Sequence, residues 1–129
     1  MRVRSKLSKS NQYYISPHRY LELYHFCLQY DEWKEEVAKI TFIPSDSDVY
    51  LESDPTGETA SRLAELKKRI ELVEWCARNA DKFIGGYILL AVTKKISYNT
   101  LWTKYRIPAG KDLYFDRYRK FFWLLSGRR

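Results

Sequence analysis

The sequence predicts an all-α fold, a small helical domain that ends in two helices joined by a short turn. Apolar residues recur at spacings of three and four along most of the chain, which is the periodicity of helices that bury one face. A length of 129 residues falls within the usual size of one domain. Apolar residues make up 45% and charged residues 30%, a balance typical of globular rather than disordered chains. We therefore expect one structural domain with four segments, namely a flexible basic arm at 1–15, a helical hairpin at 16–40, a loop at 41–57 and a helical bundle at 58–129.

The hairpin at 16–40 is predicted from its start signals and its apolar spacing. Ser16 can cap the free amides of a helix start, and Pro17 suits the first helical position because its missing amide hydrogen has no partner there. The Tyr30-Asp31 step can cap a second short helix that ends near Ile40. The apolar positions expected to face the core are Tyr20, Leu23, Tyr24, Cys27, Leu28, Trp33, Val37 and Ile40.

The segment 41–57 predicts a loop, and the residues after it predict a long helix. Two of the four prolines and a cluster of Ser and Asp lie in the loop, where a short strand at 48–51 would have no evident partner. From Thr59 to Asn79 the apolar residues form a narrow seam between charged flanks. Such a seam suits an antiparallel helical hairpin or the interface of a homodimer. Its members are Leu63, Leu66, Ile70, Val73 and Ala77, flanked by the i, i+4 pairs Glu65–Arg69 and Glu74–Arg78.

Two further helices are predicted before the C-terminal stretch. Asp81 can cap a helix over 82–93 that has almost no polar face and therefore belongs in the middle of the domain. Gly85 and Gly86 each weaken a helix by about 1 kcal/mol relative to Ala. We attribute the presence of these glycines to close packing between helices. Ser97 can cap a short helix whose buried side is expected to consist of Leu101, Trp102 and Tyr105.

The last predicted helix follows a break at Arg106-Ile107-Pro108, because the residue before a Pro avoids helical angles. A helix, a tight turn with one apolar residue and a longer basic helix form the outline of a helix-turn-helix, here at about 97–126. In that motif Ile107 anchors the turn in the core. Tyr98 and Trp123 are the aromatic residues best suited to exposure. The stripe expected to be buried consists of Tyr114, Phe115, Tyr118, Phe121, Phe122 and Leu125.

Positive charge is concentrated at the C-terminal end. Residues 94–129 contain ten basic and two acidic side chains, whereas the first 93 residues carry a net charge of about −1. A basic end of this kind is typical of proteins that bind a polyanion, most often nucleic acid. We expect Gly110, Lys111 and Tyr114 to approach the bases of double-stranded DNA. Phosphate contacts are assigned to Lys94, Lys95, Lys104, Arg117, Arg119, Lys120, Arg128 and Arg129.

The C-terminal run also resembles a known family. The stretch ISYNTLWTKYRIPAGKDLYFDRYRKFFWLL is similar to the helix-turn-helix of small phage late-transcription regulators of the ArpU and RinA type, which is itself similar to region 4 of bacterial sigma factors. The family pattern has a small residue in place of Trp102 and Gly in place of Arg106. The stretch HRYLELYHFCLQYDEWK resembles proteins of Gram-positive phages and prophages. The resemblance implies a DNA-binding regulator of phage or prophage late genes, acting in the cytoplasm of a bacterial host. The matching residues are Ser97, Leu101, Ile107, Pro108, Tyr114, Phe115 and the tail from Arg119 to Leu125.

Other chemical classes are not indicated by the residues. No nucleophile, base and carboxylate share the context of a catalytic site, so we expect no enzyme activity. His18 and His25 lack further ligands at metal-binding spacing, so neither a metal nor a cofactor is expected. No apolar run approaches the length of a membrane span, and no secretory signal is recognised at the start. Cys27 and Cys76 lie far apart inside helical patterns, which favours a reducing cytoplasm.

Two rival functions are left open at this point. The basic face could dock on an acidic protein, in which case the chain is a phage interaction module for a host protein such as RNA polymerase or a defence nuclease. Alternatively, the chain could be a packaging protein similar to a small terminase subunit, since that class also combines a helix-turn-helix with oligomerisation.

Overall fold

The computed structural model describes residues 9–42 and 57–129, and within these ranges the chain is helical without any strand. The all-α prediction is therefore confirmed. The predicted loop is shorter at both ends than 41–57, because Thr41 and Gly57 belong to helices, while 43–56 and the strand considered at 48–51 lie outside the described residues. Six helices are described, namely α1 Pro17–Leu28, α2 Tyr30–Thr41, α3 Gly57–Ala80, α4 Gly85–Lys94, α5 Tyr98–Thr103 and α6 Lys111–Arg128.

The start of α1 is the predicted cap. The side-chain oxygen of Ser16 accepts a hydrogen bond from the amide of Arg19 at 3.3 Å. The start of α2 differs from the prediction, since Gln29 is its N-cap and makes no capping bond. Asp31 lies in the first turn, where its charge suits the helix dipole, and its carboxylate pairs with Lys94 of α4 at 2.8 Å.

The predicted faces of α1 and α2 point into the core. Five of the expected residues are buried, and three are half-buried against the core. Phe26 and Tyr30 are further buried members that were not among the expected residues. The buried set is Tyr20, Leu23, Tyr24, Phe26, Cys27, Tyr30 and Trp33, with Leu28, Val37 and Ile40 packed at its edge.

Helix α3 lies at the centre of the domain and packs against α2, α4 and α6. Of its predicted seam, Leu66, Val73 and Ala77 are buried, and the other two residues are half-buried. The seam is therefore covered by helices of the same chain, so a homodimer through residues 59–79 would have to use another face of the helix.

Only one of the two ion pairs predicted along α3 forms. Arg69 pairs with Glu65 at 3.1 Å as expected. Arg78 instead pairs with Glu71 at 3.1 Å, because the carboxylate of Glu74 accepts a hydrogen bond from the hydroxyl of Tyr30 on α2.

The turn between α3 and α4 is organised by Asp81. Its side-chain Oδ1 accepts hydrogen bonds from the amides of Phe83 at 2.7 Å and Ile84 at 2.9 Å. These bonds close a turn, so α4 begins at Gly85 rather than at residue 82. Phe83 is consequently not part of an apolar helix, and it is 78% exposed.

Helices α3 and α4 approach each other closely at Gly85. A β-carbon on this residue would lie 2.4 Å from the carbonyl oxygen of Ala77, which leaves no space for any side chain. The predicted reason for this glycine, close helix packing, is confirmed. It does not apply to Gly86, where a β-carbon would meet nothing within 4 Å.

Helix α6 supplies the aromatic part of the core. Its predicted stripe is buried, except that Phe115 is half-buried. The hydroxyls of Tyr118 and Tyr20 are joined by a hydrogen bond of 2.8 Å. Burial raises the pKa of Tyr20 to about 12, so this hydroxyl keeps its proton at neutral pH. Helices α1, α3 and α4 all pack on this stripe.

The described part of the N-terminal arm packs on the end of α6. The ring of Tyr13 lies 5.5 Å from the ring of Trp123, and Ile15 packs at the edge of the core. Tyr13 and Ile15 of the predicted arm thus contact the domain, residues 1–8 lie outside the described residues, and the flexibility of the arm stays a prediction.

Candidate nucleic-acid interface

Helix α5 is a short element that is fixed to the core at one position. The side-chain oxygen of Ser97 accepts the amide of Thr100 at 3.2 Å, which is the predicted cap. Leu101 is fully buried, and its carbonyl accepts the amide of Ile107 at 3.1 Å. Ile107 is 2% exposed, so it anchors the segment after α5 in the core as expected.

Tyr98 connects the start of α5 to the start of α6. Its hydroxyl donates to the carbonyl of Ala109 at 2.8 Å, and its ring lies 5.1 Å from that of Tyr114. The connection between the two helices is seven residues long, 104–110. The helix order and the buried turn residue agree with the predicted outline at 97–126, but the connection is longer than the predicted tight turn, because α5 ends at Thr103 and α6 begins at Lys111. The assignment as a helix-turn-helix stays a prediction.

Two aromatic side chains of this region point into solvent. Trp102 is 55% exposed and Tyr105 is 43% exposed, so the prediction that both are buried is wrong. Helix α5 ends at Thr103 and is too short to bury more than a narrow stripe, which is occupied by Leu101. The ring of Trp102 lies against that of Tyr98 at 6.2 Å between centroids.

The exposed cations around α5 are not balanced by acids. The sequence from 94 to 111 contains five basic residues and no Asp or Glu. Lys94 is paired with Asp31, but no described carboxylate lies within ion-pair distance of the other four. We call the exposed set of Lys95, Trp102, Lys104, Tyr105, Arg106 and Lys111 the basic corner.

Two cations of the basic corner have left-handed backbone. Lys95, which ends α4, has φ 56° and ψ 44°, and Arg106 has φ 55°. Among the described residues these are the non-glycine positions of positive φ. Gly is favoured at such positions because it has no β-carbon, and another L-residue costs about 1–2 kcal/mol there. The chain thus holds long basic side chains where glycine would be more stable.

The start of α6 agrees only in part with the predicted base contacts. Gly110 is the exposed N-cap, and Lys111 is the exposed first residue. Tyr114, in contrast, is 1% exposed and packs against Tyr98, Phe115 and Tyr118, so it cannot approach a base. The correction has a simple cause, since α6 needs this position for its buried stripe.

Arg117 is engaged by carboxylates of the protein, which compete with the predicted phosphate contact. Its Nε lies 3.1 Å from Asp81 Oδ2, and its Nη1 contacts the carboxylate of Asp116. Burial by itself would raise the pKa of Asp81, but the amides of Ile84 and Phe83 and the guanidinium of Arg117 outweigh it and lower this pKa. This ion pair therefore fixes the α3–α4 turn to α6.

The last predicted phosphate contacts lie far from the basic corner. Arg128 is placed over the ring of Trp75, 3.8 Å from its centroid, and Arg129 over that of Phe26 at 3.9 Å. At the rise of an α-helix, Lys111 and Arg128 are about 25 Å apart along α6. The predicted basic residues consequently do not form one face.

The two remaining cations of α6 lie along its middle. Arg119 and Lys120 are half-buried, and Nε of Arg119 is buried without a hydrogen-bond partner among the described residues. Neither side chain belongs to the basic corner.

Sequence reasoning missed Trp102, Tyr105 and Arg106 as site residues. Two signals could have found them. One is the absence of acids from 94 to 111, which is sharper than the charge of the whole C-terminal end. The other is the presence of Arg106 where the resembling family has Gly.

None of the described helices is both long and apolar enough to cross a bilayer. Within the described residues, no group of three or more His, Cys, Asp or Glu side chains is arranged to hold a metal ion. Comparisons of the chain with protein-family models, with curated proteins and with solved structures find no match.

Proposed function

We propose that this protein binds double-stranded DNA through the basic corner and the start of α6, as a transcription regulator of a phage or prophage. The observation that carries the proposal is the run from 94 to 111, with five cations and no carboxylate, four of them exposed and without an ion pair among the described residues. A duplex presents closely spaced phosphates, so such an uncompensated basic surface is attracted to it.

The geometry around the turn supports a helix-turn-helix within this proposal. Arg106 has a left-handed backbone at the position where the resembling modules have Gly, so the same turn conformation is expected in both. Ile107 anchors the turn in the core. The role in phage late-gene control, and with it the bacterial cytoplasm as location, rests on the sequence resemblance.

The proposed contacts comprise positioning on phosphates and recognition of bases, and Lys111 takes part in both. Lys95, Lys104, Arg106 and Lys111 neutralise phosphates. Gly110 makes no side-chain capping bond, which leaves the first amides of α6 for a phosphate oxygen. The exposed first turn of α6, which includes Lys111, faces the base edges in the major groove.

The proposal is tested by the salt dependence of DNA binding. Four neutralised phosphates give a slope of log K against log salt of about −3.6 for duplex DNA. Fluorescence anisotropy on promoter-region duplex should show this slope for the native protein. A variant with Gln in place of Lys95, Lys104, Arg106 and Lys111 should bind with a slope near zero. A matched control replaces the exposed pair Lys67 and Lys68 of α3 and should bind like the native protein. A flat salt dependence of the native protein would contradict the proposal.

A second candidate function is favoured by the apolar residues around the basic corner. Trp102, Tyr105 and Leu113 are exposed large hydrophobic side chains near the same cations, a composition that also suits an acidic protein surface. The partner class is then a host protein such as RNA polymerase or a nuclease. Capture from a nuclease-treated host lysate distinguishes the two, since only a protein partner is retained at full stoichiometry. A packaging role similar to that of small terminases is tested by the mass in solution, where a ring-sized oligomer is required.

A further inference from the structure

We propose that Trp102 and Tyr105 stack on unpaired bases, so that the basic corner prefers DNA with an unpaired stretch over an intact duplex. This inference rests on the proposed function, since it requires that the basic corner binds DNA. It names the feature of the DNA that this surface recognises.

The platform proposed here consists of the exposed rings of Trp102, in α5, and Tyr105, just after its end. They are three positions apart, and the amides of Lys104 and Tyr105 still make helical hydrogen bonds to Thr100 at 2.8 Å and Leu101 at 3.2 Å. Residues at this spacing are neighbours on a helix surface. Neither ring belongs to the buried core, since Trp102 is 55% and Tyr105 43% exposed. Both rings are therefore accessible to a ligand.

The platform is supported from behind. The ring of Trp102 rests against Tyr98, whose hydroxyl is held by the carbonyl of Ala109 at 2.8 Å. Tyr98 also contacts the buried ring of Tyr114. Because Tyr98 is already fixed in this way, it loses little conformational entropy when a base stacks on Trp102.

The cations that neighbour the two aromatic positions in the sequence favour a nucleic acid as the ligand. Lys104 lies between the two aromatic positions, and Arg106 follows them on a left-handed backbone. Aromatic rings interleaved with cations bind bases by stacking and the adjoining phosphates by charge. In an intact duplex the faces of the bases already stack on one another, so the rings find free faces only where bases are unpaired.

Two other exposed aromatic residues, Trp123 and Phe83, lack this combination. Trp123 is covered on one side by Tyr13 at 5.5 Å and lies toward the opposite end of α6. Phe83 lies in the turn organised by Asp81, with Lys82 over its ring at 5.3 Å. Trp123 is therefore the matched control for the platform.

The experiment compares three DNA probes of one sequence, namely a duplex, the same duplex with a short central bubble, and the single strand. We expect the bubble to bind about 5- to 100-fold more tightly than the duplex, the range that stacking on one base supplies. Trp102→Ala and Tyr105→Ala should lose this preference while keeping their affinity for the duplex. Trp123→Ala should keep it.

Tryptophan fluorescence gives a second measurement that does not depend on truncated side chains. Stacking on a base is expected to quench Trp102. Bubble DNA should therefore quench the native protein and Trp123→Phe, but not Trp102→Phe, which keeps a ring on Tyr98.

Each outcome is decisive. Equal affinity for duplex and bubble overturns the stacking inference and leaves the proposed function intact. A preference that persists in both Ala variants also overturns it. Binding to none of the three probes overturns the proposed function together with the inference, and a nuclease-resistant protein complex formed through the same corner then identifies an acidic protein as the partner.

Discussion

Replacing Lys95 or Arg106 by Gly is expected to stabilise the fold and to weaken DNA binding. Both residues have positive φ, 56° and 55°, where an L-residue costs about 1–2 kcal/mol. Glycine removes this cost, but its greater conformational freedom in the unfolded chain lowers the stability of the folded state by about 0.5–1 kcal/mol. The net expectation is a gain of about 0.5–1 kcal/mol in the free energy of unfolding for each variant. Urea denaturation at neutral pH measures it as a higher midpoint at unchanged m-value.

The same variants lose one phosphate contact each. The slope of log K against log salt should therefore become less negative by about 0.9 for each variant in anisotropy titrations on duplex DNA. Lys95→Gln keeps a residue with a β-carbon at the position of positive φ and removes only the charge. We expect it to bind like Lys95→Gly but to have the stability of the native protein.

Lys104→Gly is the matched control for the backbone argument. Lys104 is an exposed cation of the same corner, but its backbone is right-handed, with φ −100° and ψ −39°. Glycine there should lower stability by about 0.5–1 kcal/mol and weaken binding as in the other variants. If Lys95→Gly and Arg106→Gly lose as much stability as Lys104→Gly, the strain argument is refuted. If they bind DNA like the native protein, these side chains are not phosphate contacts.

Three further predictions concern the packing that positions the site. Gly85→Ala should lose about 1–3 kcal/mol of unfolding free energy, because its β-carbon would lie 2.4 Å from Ala77 O, whereas Gly86→Ala at an open helical position should gain about 0.5 kcal/mol. Asp81→Asn should cost about 1 kcal/mol at neutral pH, where the ionised carboxylate caps the turn. Despite burial, the amides of Ile84 and Phe83 and the guanidinium of Arg117 lower the pKa of Asp81, so the native protein should lose this advantage as the pH falls through that lowered value, and thermal melts of the two proteins should converge. Arg117→Gln should lower stability by about 0.5–1 kcal/mol and leave the salt slope of DNA binding unchanged, since its guanidinium is held by Asp81.

The results that contradict these predictions are equally concrete. A tolerated Gly85→Ala means that α3 and α4 can separate at little cost. A constant difference between native protein and Asp81→Asn at all pH values means that the carboxylate charge contributes nothing. A reduced salt slope in Arg117→Gln means that this side chain leaves its carboxylates to contact DNA.

Local signals were sufficient to predict the helical framework. Ser16 and Ser97 cap helices where the sequence indicates, because a cap depends on residues within one turn. Leu101 and Ile107 are buried as expected, since each is the apolar residue that a short element or turn directs inward.

The parts that sequence reasoning missed depend on contacts between distant residues. Arg117 was assigned to phosphate because nothing within its own helix turn shows that Asp81, 36 positions away, binds its guanidinium. Trp102 was assigned to the core by its apolar character, yet α5 is too short to bury it. Tyr114 received two assignments, to the buried stripe and to a base contact, and its burial agrees only with the first.

The guanidinium groups of Arg128 and Arg129 rest on aromatic rings rather than on carboxylates. Salt screens charges separated by solvent far more than it weakens a cation in van der Waals contact with a ring. High salt should therefore release polyanions from the basic corner while this end of the molecule stays attached to Trp75 and Phe26. A purification that strips co-purifying nucleic acid with concentrated salt, and then returns the protein to low salt, should recover it folded and ready to bind.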